Sequence, residues 1–300
     1  MSLPNFLIIG APKAGTTSLY HFLNQHPEVY MSPVKEPHFF AYQDEEVKFC
    51  GPGDEKRCED MFVTTMSNYK SLFEEVKQEK AVGEASAMYL YSPKAPNNIA
   101  NTLDSVKLIL ILRNPIDRAY SSYLHLLRDN RETLDFEQAL DAEDYRLNNG
   151  WMPFWGYKRM GFYHDAIQRY IEVFGRERIL IHLYDDLAKD FDSVLEGTFH
   201  FLEISNDFRV STQIRHNKSG IPKNKSLHLF LKERHPVKSF LKPLLPSGIR
   251  KRIITSVANL NLSDPLKLSG STRKALIKEY REDIEKTGKL IKRDLSSWLA

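Results

Sequence analysis

The sequence predicts an α/β fold in a single domain over residues 1–300: a central parallel sheet flanked by helices, opened by a P-loop-like, phosphate-binding strand–loop–helix. Three observations carry that prediction. An apolar run over residues 3–9 breaks at Gly10-Ala-Pro-Lys-Ala-Gly15 and passes at once into a helical pattern (Leu19, Phe22, Leu23). A second run, Val106–Leu112, is apolar on both faces, as a strand covered from both sides must be. After them, short apolar runs alternate with amphipathic stretches, the pattern of parallel crossover units.

The elements follow in order. Residues 3–9 read as a buried strand and 16–25 as a helix ending before His26-Pro27. Residues 28–31 read as a short strand. The stretch 41–68 is polar and irregular, with Gly51-Pro52-Gly53 marking a loop. Residues 69–78 read as helix and Ala81-Val82-Gly83 as strand. The Val106–Leu112 strand ends in Arg113-Asn-Pro115, and a helix follows to about Leu127. Helices are expected at 135–148 and 161–174, a strand at Ile179–Leu183, and a helix at 191–202. Residues 211–226 are basic and irregular. Residues 270–297 read as one or two amphipathic helices that bury Leu276, Tyr280, Ile284 and Ile291, with Ser271 or Thr272 as cap.

Bulk properties narrow the function. With 300 residues and 42% hydrophobic composition, the chain can bury a substantial core. A net charge of +3 carries no polyanion signature, so nucleic acid is not an expected partner. Local charge is less even: Lys223 to Arg252 holds nine Lys/Arg against one acid. Apolar residues such as Phe230, Leu231, Phe240 and Leu241 are interleaved there. That segment reads either as a helical cover with a solvated basic face, the favoured reading, or as a module for anionic membrane or an acidic partner. Cys50 and Cys58 are too few for a disulfide framework; they form a small loop disulfide or, more in keeping with a cytoplasmic chain, two thiols. No basic leader and no apolar run of ~18–20 residues is present, so the chain reads as cytoplasmic. A chain whose targeting segment had been removed would read the same.

Four constellations carry chemistry. Gly10 and Gly15 keep the spacing of a nucleotide-triphosphate loop, but Thr16 stands where its lysine belongs, and the lysine lies inside the loop at Lys13. Free amides at a helix start suit an anion, with the cation placed for something other than ordinary ATP chemistry. Arg113 and Ser121 form a second phosphate-handling corner. The bland alternative is a strand-capping Arg113 with a surface salt bridge at Arg118. A magnesium-binding partner strand would end in Asp, and this one ends in Arg, so the site reads as metal-free. In Pro33-Val-Lys35-Glu36-Pro-His38-Phe39-Phe40, Glu36 can serve as a general base with Lys35 or His38 orienting it. Spacing alone favours a solvated turn with an ion pair. Finally, Arg215–Lys225 is a basic, glycine-bearing loop that either closes over an anion or stays solvated.

Together these elements resemble the sulfotransferases that use 3′-phosphoadenosine 5′-phosphosulfate (PAPS), in their bacterial and heparan-sulfate-type branch. The likeness also takes in Gly83-Glu-Ala-Ser-Ala-Met-Tyr89, Gly161-Phe-Tyr163 and the final helices. It implies an in-line transfer of sulfonate from PAPS, a co-substrate, to a hydroxyl of an acceptor (carbohydrate, lipid, polyketide or other small molecule), possible also on a carrier protein. It implies that the amides of residues 13–18, among them Ala14 and Gly15, grip the 5′-phosphate with Thr16, Thr17 and Ser18. Lys13 then steadies the leaving oxygen. Arg113 and Ser121, aided by Lys218, Ser219 and Gly220, hold the 3′-phosphate. Glu36 is the implied base and His38 the alternative. Glycan members often carry lysine just after the Glu84 position, where this chain has Ala85, a departure that bears on the acceptor. The competing enzyme reading is a metal-dependent nucleotide kinase on the same loop.

Overall fold

The two all-apolar runs become the middle of the sheet. In the computed structural model five parallel strands, β1 (Phe6–Gly10), β2 (Val29–Met31), β3 (Ala81–Ala85), β4 (Lys107–Leu112) and β5 (Ile179–Leu183), stand in the order β2-β3-β1-β4-β5. Residues 2–209, 221–222, 262–263 and 267–300 are described. All of β1 and β3 is buried, and only Lys107 of β4 is partly exposed, because helices cover both faces. Phe6 pairs with Gly83 on one side and with Lys107 on the other. From β1 the chain runs outward to β2, returns to β3, then crosses β1 to reach β4 and moves out to β5. The carboxyl ends of β1 and β4 therefore flank the switch point at which such sheets take ligands. Ile221–Pro222 (β6) and Leu262–Ser263 (β7) form a separate antiparallel pair.

The helices are α1 (Thr16–Leu23), α2 (Phe39–Tyr42), α3 (Asp54–Met61), α4 (Met66–Ser71), α5 (Ala95–Thr102), α6 (Pro115–Arg128), α7 (Phe136–Asp141), α8 (Glu143–Asn148), α9 (His164–Phe174), α10 (Tyr184–Lys189), α11 (Phe191–Leu202) and α12 (Gly270–Ile291). Several differ from the sequence reading. The helix expected at 69–78 starts earlier, at α4, where the Thr65 hydroxyl accepts from Asn68 N. The stretch 135–148 is two helices that break at Ala142. The break brings Glu143 inside, where its carboxylate accepts from Lys158 N (2.6 Å) and Arg159 N (2.8 Å). Ser269, not Ser271 or Thr272, caps α12, accepting from Thr272 N at 3.1 Å. Arg118 makes no surface salt bridge; it is fully buried and donates to the Tyr157 carbonyl. Cys50 and Cys58 are unbonded, Cys50 exposed and Cys58 buried. No helix among the described residues is long and apolar enough to cross a membrane.

Two distant pieces brace the site. Asp283 of α12 accepts from Tyr163 N (2.8 Å) and His164 N (3.1 Å), capping α9, and Tyr163 in turn donates its hydroxyl to the Arg113 carbonyl at 2.8 Å. The Tyr280 ring packs so close that a Cβ at Gly161 would lie 2.5 Å from its hydroxyl, which requires glycine there. The second brace is Asp54, fully buried at the start of α3. It accepts from Met152 N (2.9 Å), from the Trp155 indole (3.2 Å) and from Arg131. Asp54→Ala is expected to cost about 3 kcal/mol, because it leaves the half-buried Arg131 with only the Pro52 carbonyl as acceptor among the described residues and strands two N–H groups. Urea unfolding measures it.

Candidate active site

β1 hands directly to the loop Ala11–Gly15 and to α1, whose start has no side-chain cap among the described residues; the Ser18 amide turns back to the Gly15 carbonyl (3.0 Å). Gly15 sits at φ +99°, where a side chain is strained, and a Cβ there would lie 3.4 Å from the Tyr184 ring. Arg113, just past β4, donates from Nη1 to the Lys13 carbonyl at 2.9 Å, so the two corners are joined. Its guanidinium also lies over Tyr184, 4.5 Å from the ring centre. Ser121, His125 and Arg128 continue along one face of α6, at i, i+4 and i+7, and all line the same cavity. A guanidinium accepts nothing, so His125 Nδ1 must accept from Arg128 Nη2 (2.8 Å), which leaves the imidazole neutral with its proton on Nε2. Burial, then the Lys13 charge, push the His125 pKa well below its ordinary value, in agreement.

The third wall is the Pro33–Phe40 segment. Phe39 and Phe40 are fully buried, with Phe39 stacked on Tyr69 at 4.2 Å between ring centres. Glu36 N donates to the Ala85 carbonyl (2.9 Å), tying the segment to the end of β3. Lys13, Glu36 and His38 all adopt positive φ (68°, 62° and 55°). Each such non-glycine conformation costs on the order of 1–3 kcal/mol and persists where the surroundings over-determine it, typically at working sites.

Glu36 Oε1 lies 2.5 Å from Lys35 Nζ; Oε2 is 3.8 Å from His38 Nε2 and 4.0 Å from Arg57 Nη2. Burial opposes ionisation of Glu36, but Lys35, His38 and Arg57 together outweigh it and hold the carboxyl well below the usual range. His38 is 3% exposed, stands behind the cavity wall rather than lining it, and has an Nδ1 with no hydrogen-bond partner among the described residues. Burial brings its pKa down to about 4 against the pull of Glu36, so the ring is neutral at pH 7. Below it, Ser86 Oγ accepts from His38 N (3.0 Å) and donates to Glu84 (2.9 Å). Burial raises Glu84 to about 7 despite hydrogen bonds from Tyr89, Ser86 and Tyr69.

The cavity they enclose measures about 350 Å³. Among the described residues, Lys13, Lys35, Arg57, Arg113 and Arg128 line it against one carboxylate, Glu36, with the Thr16, Thr17 and Ser18 side of α1 contributing hydroxyls. Burial, then Arg128, lower Lys13 to about 8, with Glu36 opposing. Ala14 is buried and turns its amide back to the Ala11 carbonyl (3.2 Å). Lys218, Ser219, Gly220 and the basic stretch Lys223–Arg252 lie outside the described residues. Phe154 also lines the cavity, whereas Trp155, Tyr157 and Tyr163 belong to the core. The sequence reading missed Arg57, His125, Arg128 and Tyr184. The helical spacing from Ser121 was a usable signal for His125 and Arg128; Arg57 and Tyr184 carried none.

A family model for the sulfotransferase domain matches residues 3–242. The chain belongs to the sulfotransferase family. The chain is 27% identical over 248 residues to carbohydrate sulfotransferase 15 of Mus musculus, covering 67% of the chain and 44% of that protein. It is 31% identical over 220 residues to the bifunctional heparan sulfate N-deacetylase/N-sulfotransferase 4 of Mus musculus, covering 70% of the chain and 23% of that protein. The chain thus spans less than half the length of these relatives. Among solved structures, a sulfotransferase from Alicyclobacillus acidocaldarius matches with a TM-score of 0.80 and 32% identity, covering 100% of both chains.

Proposed function

We propose that this sulfotransferase moves sulfonate from PAPS to a hydroxyl of an acceptor, with Glu36 as general base. The observation that carries the reading is the pair of cationic corners, linked through Arg113 Nη1 and the Lys13 carbonyl, that share one cavity with, among the described residues, a single carboxylate. A nucleotide with phosphates at both ends fits such a surplus of positive charge. The loop amides, Thr16, Thr17 and Ser18 hold the 5′ end, and Arg113 with Ser121 the 3′-phosphate. As the acceptor oxygen bonds to sulfur, the sulfur–oxygen bond to the 5′-phosphate breaks. Its electron pair stays on the phosphate oxygen beside Lys13, and the hydroxyl proton passes to Glu36. Glu36 rather than His38 takes that role because Glu36 lines the cavity and His38 stands behind it. His38 and the Ser86–Glu84 pair position the segment. The names of the relatives make a carbohydrate the first acceptor to try.

Labelled PAPS, a carbohydrate panel and a chelator test this together. Transfer without divalent metal is the expected result. ATP turnover that needs magnesium, with none from PAPS, would hand the site to the kinase reading.

A pH dependence follows from Lys13. Its ammonium must be charged to meet the donor, and in the free site it loses its proton near pH 8. Affinity for the desulfated product, 3′-phosphoadenosine 5′-phosphate (PAP), is therefore expected to be flat at pH 7 and to fall about tenfold per pH unit above 8. Titration calorimetry checks this, and Lys13→Met should flatten the profile.

A further inference from the structure

Lys35 and Glu36 are adjacent, and adjacent residues of extended backbone point to opposite sides. Here both line one cavity, because Glu36 at φ +62° turns the chain between them. The result is asymmetric. Oε1 has the Lys35 ammonium at 2.5 Å, while among the described residues Oε2 has only the longer approaches of His38 and Arg57. Lys35 is 21% exposed and faces the space shared with Lys13, Thr17 and Ser18. A carboxylate gripped by an ammonium is a weak proton acceptor, so a base at this position works only once the ammonium is drawn away. On an in-line path the transferring sulfonate lies between the oxygen leaving beside Lys13 and the acceptor oxygen beside Glu36, within the space that Lys35 lines.

Building on the donor reading above, we propose that Lys35 couples donor loading to base activation: its ammonium neutralises Glu36 while the donor is absent, and moves to a sulfonate oxygen when PAPS binds, leaving Glu36 to take the acceptor's proton. Lys35 then contacts the group in transit, Lys13 the oxygen that leaves, and Arg113 the far end of the nucleotide. The division has a signature: Lys35 distinguishes PAPS from PAP, which lacks the sulfonate, and Arg113 does not.

The experiment compares PAPS and PAP binding without acceptor, and turnover with it, in the wild type, Lys35→Met and Lys35→Arg. Lys35→Met is expected to lose about tenfold in PAPS affinity while PAP affinity stays within about twofold, and kcat to fall roughly 10–100-fold. Lys35→Arg should recover most of both. PAP binding also reports that each variant is folded. Equal weakening of both nucleotides, or unchanged PAPS binding and turnover, overturns the role of Lys35. Failure of the wild type to bind PAP defeats the donor reading itself, and with it this role.

Discussion

Lys13→Met is expected to lower kcat by about 10²–10³, the loss seen when one preorganised stabiliser of developing charge is removed. The leaving oxygen gains negative charge as its bond to sulfur breaks, and Lys13 is the loop's own cation at that corner. Arg113 cannot substitute: its Nη1 is committed to the Lys13 carbonyl, and its plane rests on Tyr184. The same variant is expected to be more stable than the wild type. In the folded protein, burial and then Arg128 lower Lys13 from 10.5 to about 8, whereas the unfolded chain keeps the higher value. Between those two pH values the unfolded chain binds more protons, so wild-type stability rises with pH. Below pH 8 the full penalty of the buried charge is present. At about 1.4 kcal/mol per pKa unit the shift corresponds to roughly 3 kcal/mol, and solvent in the cavity brings the expected gain at pH 7 to roughly 1–2 kcal/mol. A rise in Tm alongside lost turnover identifies Lys13 as a residue kept for charge rather than packing. A fall in Tm would mean that its stem holds the loop together.

How much of this was legible beforehand depended on whether the determining physics was local. The Gly10–Ser18 and Arg113–Ser121 corners were readable because binding phosphate at a strand end demands glycine, hydroxyls and a fixed cation within a few residues. The open sheet was readable from Phe6–Ile9 and Val106–Leu112, since a strand apolar on both faces has few other places to go. Glu36 was not decided by its spacing: a Lys-Glu pair beside proline is equally a solvated turn. What sets it in the cavity is tertiary, namely the burial of Phe39 and Phe40 on Tyr69 and the bond from Glu36 N to Ala85. Arg57 was harder still. It lies in a polar stretch that reads as loop, and it reaches the cavity because Asp54, one turn earlier, is gripped by Met152, Trp155 and Arg131, far along the chain. The split of 135–148 into α7 and α8 has the same kind of cause: Glu143 answers to amides at 158 and 159 rather than to its own helix.

Glu36→Gln is expected to lower kcat by about 10²–10⁴, the range of a lost general base, while nucleotide binding survives. The substitution keeps the shape of the side chain, and the anchors that place the segment, Phe39, Phe40 and the Glu36 N–H, are untouched. It removes a negative charge from a cavity that must receive an anion, so PAP affinity should hold or rise, and the gain should be larger for PAPS if Lys35 is thereby freed to meet the sulfonate. His38→Gln supplies the contrast. His38 lies 3.8 Å from the carboxylate and is buried, so its loss should disturb placement by about tenfold in kcat at most and leave the pH profile in place. The comparison is decided by rank order. If His38→Gln costs more than Glu36→Gln, the proton leaves by way of the imidazole, and Glu36 is reduced to balancing Lys35 and Arg57.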